Sequence, residues 1–154
     1  MTDRRRERPA PETIGWREWV RFPDLVPEAV KAKVDTGART SALHAFRIRG
    51  FERDGAEWVR FEVHPVQRSS RGSRVVEAPV VEHRRVRSSN GEVESRPVIR
   101  TTVELGGQSW PILVTLTTRD EMGFRVLLGR SAIRRRFVVD VARSFAAVVP
   151  DAAQ

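Results

Sequence analysis

The sequence predicts an all-β domain that closes on itself, and two observations lead to that class. Short segments of alternating apolar and polar residues recur along the chain, as in 30–34, and this period of two is typical of strands with one buried face. Turn-forming pairs such as Asp54-Gly55 and Gly106-Gly107 separate these segments. Since many short strands joined by turns bury their faces against one another, we expect a closed all-β fold.

The first half of the chain holds five predicted strands. They span 14–22, 30–34, 41–51, 58–63 and 75–81. Pro23 ends the first of them, and Asp54-Gly55 predicts the hairpin between the third and the fourth. Because Pro79 cannot donate a ladder hydrogen bond, the fifth strand is expected at a sheet edge or at a bulge.

The second half begins with a polar hairpin. Asn90-Gly91 lies near the centre of 86–98 and favours a two-residue type I′ turn. Its flanking residues are polar, so this hairpin has little apolar surface to bury and is expected to be mobile. One or two helical turns are predicted at 131–136, and the remaining strands at 99–105, 110–116, 127–128 and 137–141.

Length and composition limit the organisation of the chain. Its 154 residues suffice for one domain with a proper core and not for two. The absence of cysteine removes disulfides and thiol catalysis and fits a reducing, cytoplasmic location. No apolar run approaches a membrane span, and no signal peptide is recognisable. We expect a disordered basic tail over 1–13, one domain over 14–149 and a short tail over 150–154.

The formal charge of +8 has three explanations that the sequence leaves open. They are a preference for arginine, binding of nucleic acid, and binding of an acidic peptide. The basic clusters at 4–8, 84–87 and 134–136 are scattered and lack interleaved aromatic residues. Since no nucleic-acid-binding module is recognisable either, no nucleic-acid partner is expected.

A carboxylate, a hydroxyl and a glycine follow the strand at 30–34, at Asp35-Thr36-Gly37. Asp and Gly are common turn residues, so a turn without chemistry is one interpretation of this tripeptide. The other is a carboxylate that the turn holds for catalysis. A second element far downstream, Leu127-Leu128-Gly129-Arg130, bears on the choice.

Together the two elements resemble a known family. Lys-Val-Asp-Thr-Gly-Ala-Arg-Thr-Ser-Ala-Leu-His at 33–44, with the aliphatic pair, Gly and Arg at 127–130, is similar to the bacterial retropepsin-like aspartic endopeptidases, once described as ATP-dependent zinc proteases. The resemblance runs over 14–149 and implies a closed retropepsin-like barrel with one short C-terminal helix. It assigns 84–97 to a flap hairpin, and it departs from a minimal viral protease at 46–81, where a hairpin and a strand are added.

The resemblance also implies a mechanism, in which two aspartates share one proton and activate a water. Because the chain holds one Asp-Thr-Gly, the second carboxylate must come from a second copy in a homodimer. Asp35 would be catalytic, Thr36 would brace the two loops and Gly37 would line the cleft floor. The residues expected to bind substrate are Ala38, Arg39, Arg85, Arg87, Asn90, Gly91 and Arg130.

Two alternatives to an aspartic peptidase stay open. The first is a non-catalytic module of the same fold, because family members occur beside ATP-grasp ligases that add glutamates to a ribosomal protein. That association implies a ligase partner and an acidic, glutamate-tailed substrate. The second is a zinc peptidase built on Asp35 and His44, although the three histidines lack a recognisable ligand spacing. No phosphate-binding glycine loop is present, so no cofactor is predicted and any ATP would belong to a partner.

Overall fold

The structure, a computed structural model, describes residues 10–87, 90–118 and 123–147. Within them lie eleven strands and one short helix. The strands are β1 (Glu12–Gly15), β2 (Arg17–Arg21), β3 (Ala29–Asp35), β4 (Ser41–Arg53), β5 (Ala56–Val63), β6 (Arg74–Pro79), β7 (Glu82–Arg87), β8 (Val93–Leu105), β9 (Gln108–Thr117), β10 (Val126–Gly129) and β11 (Phe137–Asp140), and the helix is α1 (Arg130–Ile133).

Six of the strands form a closed barrel. Hydrogen bonding runs in the order β10-β3-β2-β8-β9-β4, and an antiparallel pairing of β10 with β4 completes the ring. Closure leaves these six strands without a free edge, which protects them from pairing with other chains. The predicted class, an all-β closed barrel with one short C-terminal helix, is therefore confirmed.

The core lies inside this barrel and follows the alternation of the sequence. On β3, Val30, Ala32 and Val34 are buried, whereas Lys31 and Lys33 are only half-buried. Burying an aliphatic side chain of this kind stabilises a fold by roughly 1.5–3 kcal/mol. The pattern that predicted the strand is thus also the pattern that fixes which face it turns inward.

An antiparallel extension leaves the barrel where β4 is longer than its barrel partners. The far half of β4 pairs with β5, and β5 pairs with β6, which lies at the edge of the sheet. Asp54 and Gly55 have φ angles of 53° and 79°, as the predicted type I′ turn requires. Pro79 is the last residue of the edge strand β6, so the predicted edge position is also confirmed.

The flap hairpin consists of β7 and the first part of β8, and β8 continues from it into the barrel. The last described pair of the hairpin joins Arg87 to Val93, whereas a two-residue turn at Asn90-Gly91 would place Arg87 opposite Glu94. The predicted two-residue turn at Asn90-Gly91 is therefore wrong, although Gly91 does have a positive φ of 87°. Flanks that are mostly polar and exposed specify register weakly, which is why the dipeptide misled the prediction.

The two ends of the domain meet in a separate two-stranded parallel sheet, β1 with β11. The predicted strand 14–22 is split after Gly15, where Trp16 donates a backbone hydrogen bond of 2.9 Å to the Arg143 carbonyl. A Cβ at Gly15 would lie well under 3.0 Å from that carbonyl, so the two segments of the chain approach closely at this point. β1 begins at Glu12, and the rest of the predicted tails, 1–9 and 150–154, lies outside the described residues.

Candidate active site

Asp35 is the last residue of β3, and its carboxylate is held by the turn that follows. Its Oδ1 accepts hydrogen bonds from the backbone N–H groups of Gly37 at 2.9 Å and Ala38 at 3.2 Å. The side chain is half-buried, whereas Thr36 and Gly37 are exposed. The Asp-Thr-Gly segment is therefore both a turn and a device that fixes one carboxylate oxygen at the protein surface.

The far side of this loop is joined to the Gly-Arg element through the backbone. Gly129 is the parallel-strand partner of Asp35. Beyond it, Arg130 N–H donates to the Ala38 carbonyl at 2.7 Å, and Ser131 N–H donates to the carbonyl of Arg39 at 3.0 Å. The resemblance implied that the two elements belong together, and these bonds are the physical link between them.

Gly129 is required at this junction by space. A Cβ there would lie well under 3.0 Å from the backbone of Thr40, a separation that real Cβ atoms do not show. The Gly129 N–H donates at 3.0 Å to the Oγ of Ser41, which is buried. A side-chain hydroxyl thus satisfies a buried backbone donor that the crowded crossing cuts off from water.

Arg130 has a structural contact that the sequence did not indicate. Its guanidinium Nη1 donates to the carbonyl oxygen of Thr36 at 2.9 Å, on the exposed side of the loop. This bond ties the exposed residue of the Asp-Thr-Gly turn to α1. Binding of substrate by Arg130 or by the neighbouring Arg39 stays a prediction.

The flap carries its arginines on two different faces. Along β7, Arg84 and Val86 are half-buried, whereas Arg85 and Arg87 are exposed. Because successive strand residues point to opposite faces, Arg85 and Arg87 point away from the face that carries Arg84. On the sequence, Arg84 belongs to the basic cluster of the expected flap, and Arg85 and Arg87 were the residues expected to bind substrate. The period-two pattern of β7 is the signal that separates Arg84 from those two. The tip residues Asn90 and Gly91 are exposed.

A cavity of about 390 Å³ lies beside the Asp-Thr-Gly loop. It is bounded by the residues after the Asp-Thr-Gly turn, by β7 and β9, and by α1 with the segment that follows it. Its lining consists of Arg39, Thr40, Ser41, Arg84, Trp110, Pro111, Ile112, Leu113, Ser131, Ala132 and Arg136.

The zinc alternative does not find its site in this geometry. His44 Nδ1 accepts a 2.9 Å hydrogen bond from Arg125, whose N–H is always protonated, so this ring nitrogen is engaged. The backbone N–H of His44 also donates a hydrogen bond of 2.7 Å to the carbonyl of Arg125. Gly129 is the strand partner of Asp35, and Arg125 lies four residues before Gly129. Four residues of strand span about 13 Å, so the contact between His44 and Arg125 is far from Asp35. Within the described ranges, no three His, Asp or Glu side chains are grouped to hold a metal ion.

A closed six-stranded barrel, with an Asp-Thr-Gly loop bonded to a Gly-Arg element, defines a retropepsin-like protein. Comparison with known families agrees: residues 13–150 match the family described as RimB-like, the retropepsin-like aspartic endopeptidase RimB. The chain belongs to this family.

Sequence relatives carry a different name. A probable alpha-L-glutamate ligase of Shewanella halifaxensis (strain HAW-EB4) is 49% identical over 132 residues, 86% of this chain and 29% of that protein. Another, from Parasynechococcus marenigrum (strain WH8102), is 51% identical over 127 residues, 82% of this chain and 27% of that protein. The chain thus spans less than a third of the length of these relatives.

A solved structure shares the fold over nearly its whole length. It is the crystal structure of a protein of unknown function from Legionella pneumophila subsp. pneumophila str. Philadelphia 1, 30% identical, with a TM-score of 0.70. The match covers 89% of this chain and 98% of that one. A separate finding concerns membranes: the described residues contain no helix long and apolar enough to cross one.

Proposed function

We propose that this protein is an aspartic peptidase that works as a homodimer, with one Asp35 from each copy. The observation that carries the proposal is the Asp35 carboxylate, whose Oδ1 is fixed by two backbone N–H groups on an exposed loop. A catalytic carboxylate must be held in place and must still be accessible to water and substrate. The exposure of Thr36 and Gly37 beside it leaves the loop open to a second copy.

The chemistry is hydrolysis of a peptide bond by a water bound between the two Asp35 carboxylates. The ionised carboxylate removes a proton from the water, whose oxygen bonds to the peptide carbonyl carbon. The protonated carboxylate donates to the carbonyl oxygen in the same step. Collapse of the tetrahedral intermediate breaks the C–N bond. The nitrogen takes the proton that the first carboxylate removed from the water, and a hydroxyl of the intermediate returns its proton to the second carboxylate. Two carboxylates this close cannot both ionise, so they share one proton throughout.

Thr36 and Gly37 serve the same reaction by position. Thr36 supplies a hydroxyl next to each catalytic aspartate, where it can bond across the axis of the dimer. Gly37 has no side chain to obstruct the floor of the cleft, and Asn90 and Gly91 at the flap tip close over bound peptide. A chain without cysteine suits a reducing compartment, so we include the cytoplasm in the proposal.

The relatives suggest where the substrate comes from. A domain that matches most of this chain occurs in proteins named probable alpha-L-glutamate ligases, which are more than three times as long as the matched part. A ligase of that name forms bonds to glutamate, so an acidic peptide made by such a ligase is the substrate class we assign. The formal charge of +8 favours such a substrate through long-range attraction.

A second function is favoured by the same relatives. If the domain regulates a ligase without cutting anything, Asp35 has no catalytic partner and the two copies need not meet. The names of the relatives support this alternative, because they specify a ligase activity and no hydrolysis.

The test compares the wild type with Asp35→Asn, which is nearly isosteric and cannot act as the base. Hydrolysis of glutamate-rich peptides should fall by more than about a thousandfold, the size of effect expected when a group that acts directly in the reaction is removed. Mixing active and Asp35→Asn chains should lower activity more steeply than dilution, because mixed dimers are inactive. A monomeric mass in solution with full turnover, or wild-type rates in Asp35→Asn, would contradict the proposal.

A further inference from the structure

The cavity beside the catalytic loop brings together three arginines from three parts of the chain. Arg39 follows the Asp-Thr-Gly turn, Arg84 lies on the flap strand β7, and Arg136 lies beyond α1. The sequence placed Arg39 and the flap that carries Arg84 at the expected cleft, but it gave no sign that Arg136 joins them. The cavity volume of about 390 Å³ is within the range of small-ligand pockets.

These guanidinium groups are not neutralised by the protein. Among the residues that the structure describes, neither Arg39 nor Arg136 makes an ion pair. Arg84 lies 3.3 Å from a carboxylate oxygen of Glu82, but both side chains are partly exposed, so water and salt weaken that pair. The cavity therefore presents positive charge that has no strong partner.

Arg136 is also held in a fixed orientation. Its guanidinium carbon lies 4.5 Å from the ring centroid of Trp110, and its Nη1 donates to Gln108 Oε1 at 3.3 Å. Stacking and a neutral acceptor fix the plane of the guanidinium and leave its charge uncompensated. A planar fork positioned in this way is suited to bind a carboxylate through two parallel hydrogen bonds.

The flap adds a fourth arginine to the same face. Arg96 lies directly opposite Arg84 in the hairpin, so like charges face each other, which costs stability. Arg96 is only 8% exposed, and its Nη2 lies 3.4 Å from Glu94 Oε2, but within the described part of the chain its Nε has no hydrogen-bond partner. Glu82 and Glu94 therefore compensate part of the charge of the two flap arginines, and the Nε of Arg96 leaves one buried donor for a further acceptor.

We propose that this cavity is a subsite that binds the side-chain carboxylate of an acidic residue in a peptide substrate. The inference rests on the proposed function and adds to it the residues that select for the acid. Arg136 binds the carboxylate as a fork, and Arg39 and Arg84 add charge from the loop and from the flap. The ring of Trp110 and the side chain of Leu113 line the wall, and an apolar wall strengthens the charge interaction by excluding water.

The position of the cavity couples recognition to cleavage. Arg39 comes four residues after Asp35, and its carbonyl accepts the hydrogen bond from Ser131 N–H at 3.0 Å. The cavity wall and the catalytic loop are thus one rigid assembly. An acidic side chain in the subsite therefore fixes the peptide main chain relative to the two aspartates. Only peptide bonds at a fixed distance along the substrate from an acidic residue are then positioned for hydrolysis.

The experiment measures binding without cleavage, by fluorescence anisotropy in the full-length Asp35→Asn protein. The probes are two labelled peptides with amidated C-termini, identical except that one carries glutamates where the other carries glutamines. Arg136→Gln should weaken binding of the glutamate peptide about tenfold and leave the glutamine peptide unchanged, the effect expected for a charge-assisted hydrogen bond. Arg134→Gln is the matched control: it removes the same charge two residues away, outside the cavity lining, and should change binding less than about twofold.

Arg136→Lys separates recognition from folding, because it keeps the charge and loses the fork. It should bind the glutamate peptide more weakly than the parent Asp35→Asn protein and better than Arg136→Gln. Equal losses in Arg134→Gln and Arg136→Gln, or no preference for glutamate over glutamine, would overturn the subsite. A preference for glutamate that appears only in peptides with a free C-terminus would also overturn the subsite, since the cavity would then bind the terminal carboxylate.

The failures of the two proposals are distinguishable. If the wild type cleaves acidic peptides while Arg136→Gln binds them normally, the peptidase stands and the subsite is wrong. If the wild type cleaves nothing while the glutamate preference depends on Arg136, the subsite stands as a binding site and the peptidase is wrong.

Discussion

The Asp-Thr-Gly loop and the flap hairpin are held in opposite ways. The loop is fixed on its far side by backbone hydrogen bonds from Arg130 and Ser131 and by a close crossing with Gly129. The hairpin is attached by the pairing of β7 with β8, and most of its side chains are exposed. The first region is held by several main-chain contacts. The second is held by one strand ladder and by an exposed contact between His83 and Glu57 at 2.7 Å, and these bonds compete with water.

This difference has a functional meaning. A group that must be placed within a fraction of an ångström belongs on a rigid element, and backbone contacts provide that rigidity with few constraints on side chains. A flap that opens for substrate needs the reverse. We therefore expect substitutions at the loop crossing to act through stability, and substitutions in the hairpin to act through binding of peptide.

The largest effect on stability is expected at Gly129. In Gly129→Ala the new methyl group overlaps the Thr40 backbone, and neither of the two crossing segments can move without breaking the hydrogen bonds of the loop. We expect a loss of about 3 kcal/mol or more in the free energy of unfolding, measured in urea. The matched control is Gly50→Ala in β4, where the nearest atom to the new Cβ is 3.9 Å away and the cost should stay below about 1 kcal/mol. Similar losses of unfolding free energy in both variants would show that the close crossing is not the cause.

A smaller effect is expected at Ser41. Ser41→Ala leaves the buried N–H of Gly129 without its acceptor, and Ser41 itself is only 3% exposed. The free energy of unfolding should fall by about 1–3 kcal/mol, the usual cost of an unsatisfied buried donor. Ser95→Ala, on the exposed part of the flap strand β8, serves as the control and should change stability by less than about 0.5 kcal/mol. A Ser41→Ala protein as stable as the Ser95→Ala protein would show that water or a shifted backbone replaces the bond.

The two regions also differ in how far the sequence predicts them. The barrel strands were predictable because one buried face gives an alternation that a single segment displays on its own, as at Val30 to Val34. Asp35, the proposed catalytic aspartate, was marked by its turn chemistry and by the resemblance. The bonds that hold it were not predictable, since Arg130 to Thr36 and Gly129 to Ser41 join residues about ninety positions apart.

The flap shows the same limit from the other side. Its position and its polar character followed from the sequence, but the register of its turn did not, because the residues next to the turn are exposed and no apolar pair there fixes it. The choice among its arginines depended on which face of β7 turns toward the cavity. The period of two separates Arg84 from Arg85 and Arg87, but the barrel to which β8 is joined sets which of the two faces turns toward the cavity.

The smallest expected effect separates those flap arginines. The sequence alone predicts that Arg85 and Arg87 bind substrate, whereas the alternation along β7 puts Arg84 on the cavity side and the other two on the opposite face. At physiological ionic strength Arg84→Gln should weaken a glutamate-rich peptide about threefold, since it removes one of several charges at contact distance. Arg85→Gln should change binding less than about 1.5-fold, because a charge on the far face acts through roughly one screening length of 8–10 Å. Lowering the salt should enlarge the effect of Arg85→Gln more, proportionally, than that of Arg84→Gln. The contrary result is that Arg85→Gln weakens peptide binding more than Arg84→Gln at every salt concentration. The flap would then turn its other face to the peptide when it closes. The comparison between a fixed loop and a hairpin of known orientation would fail.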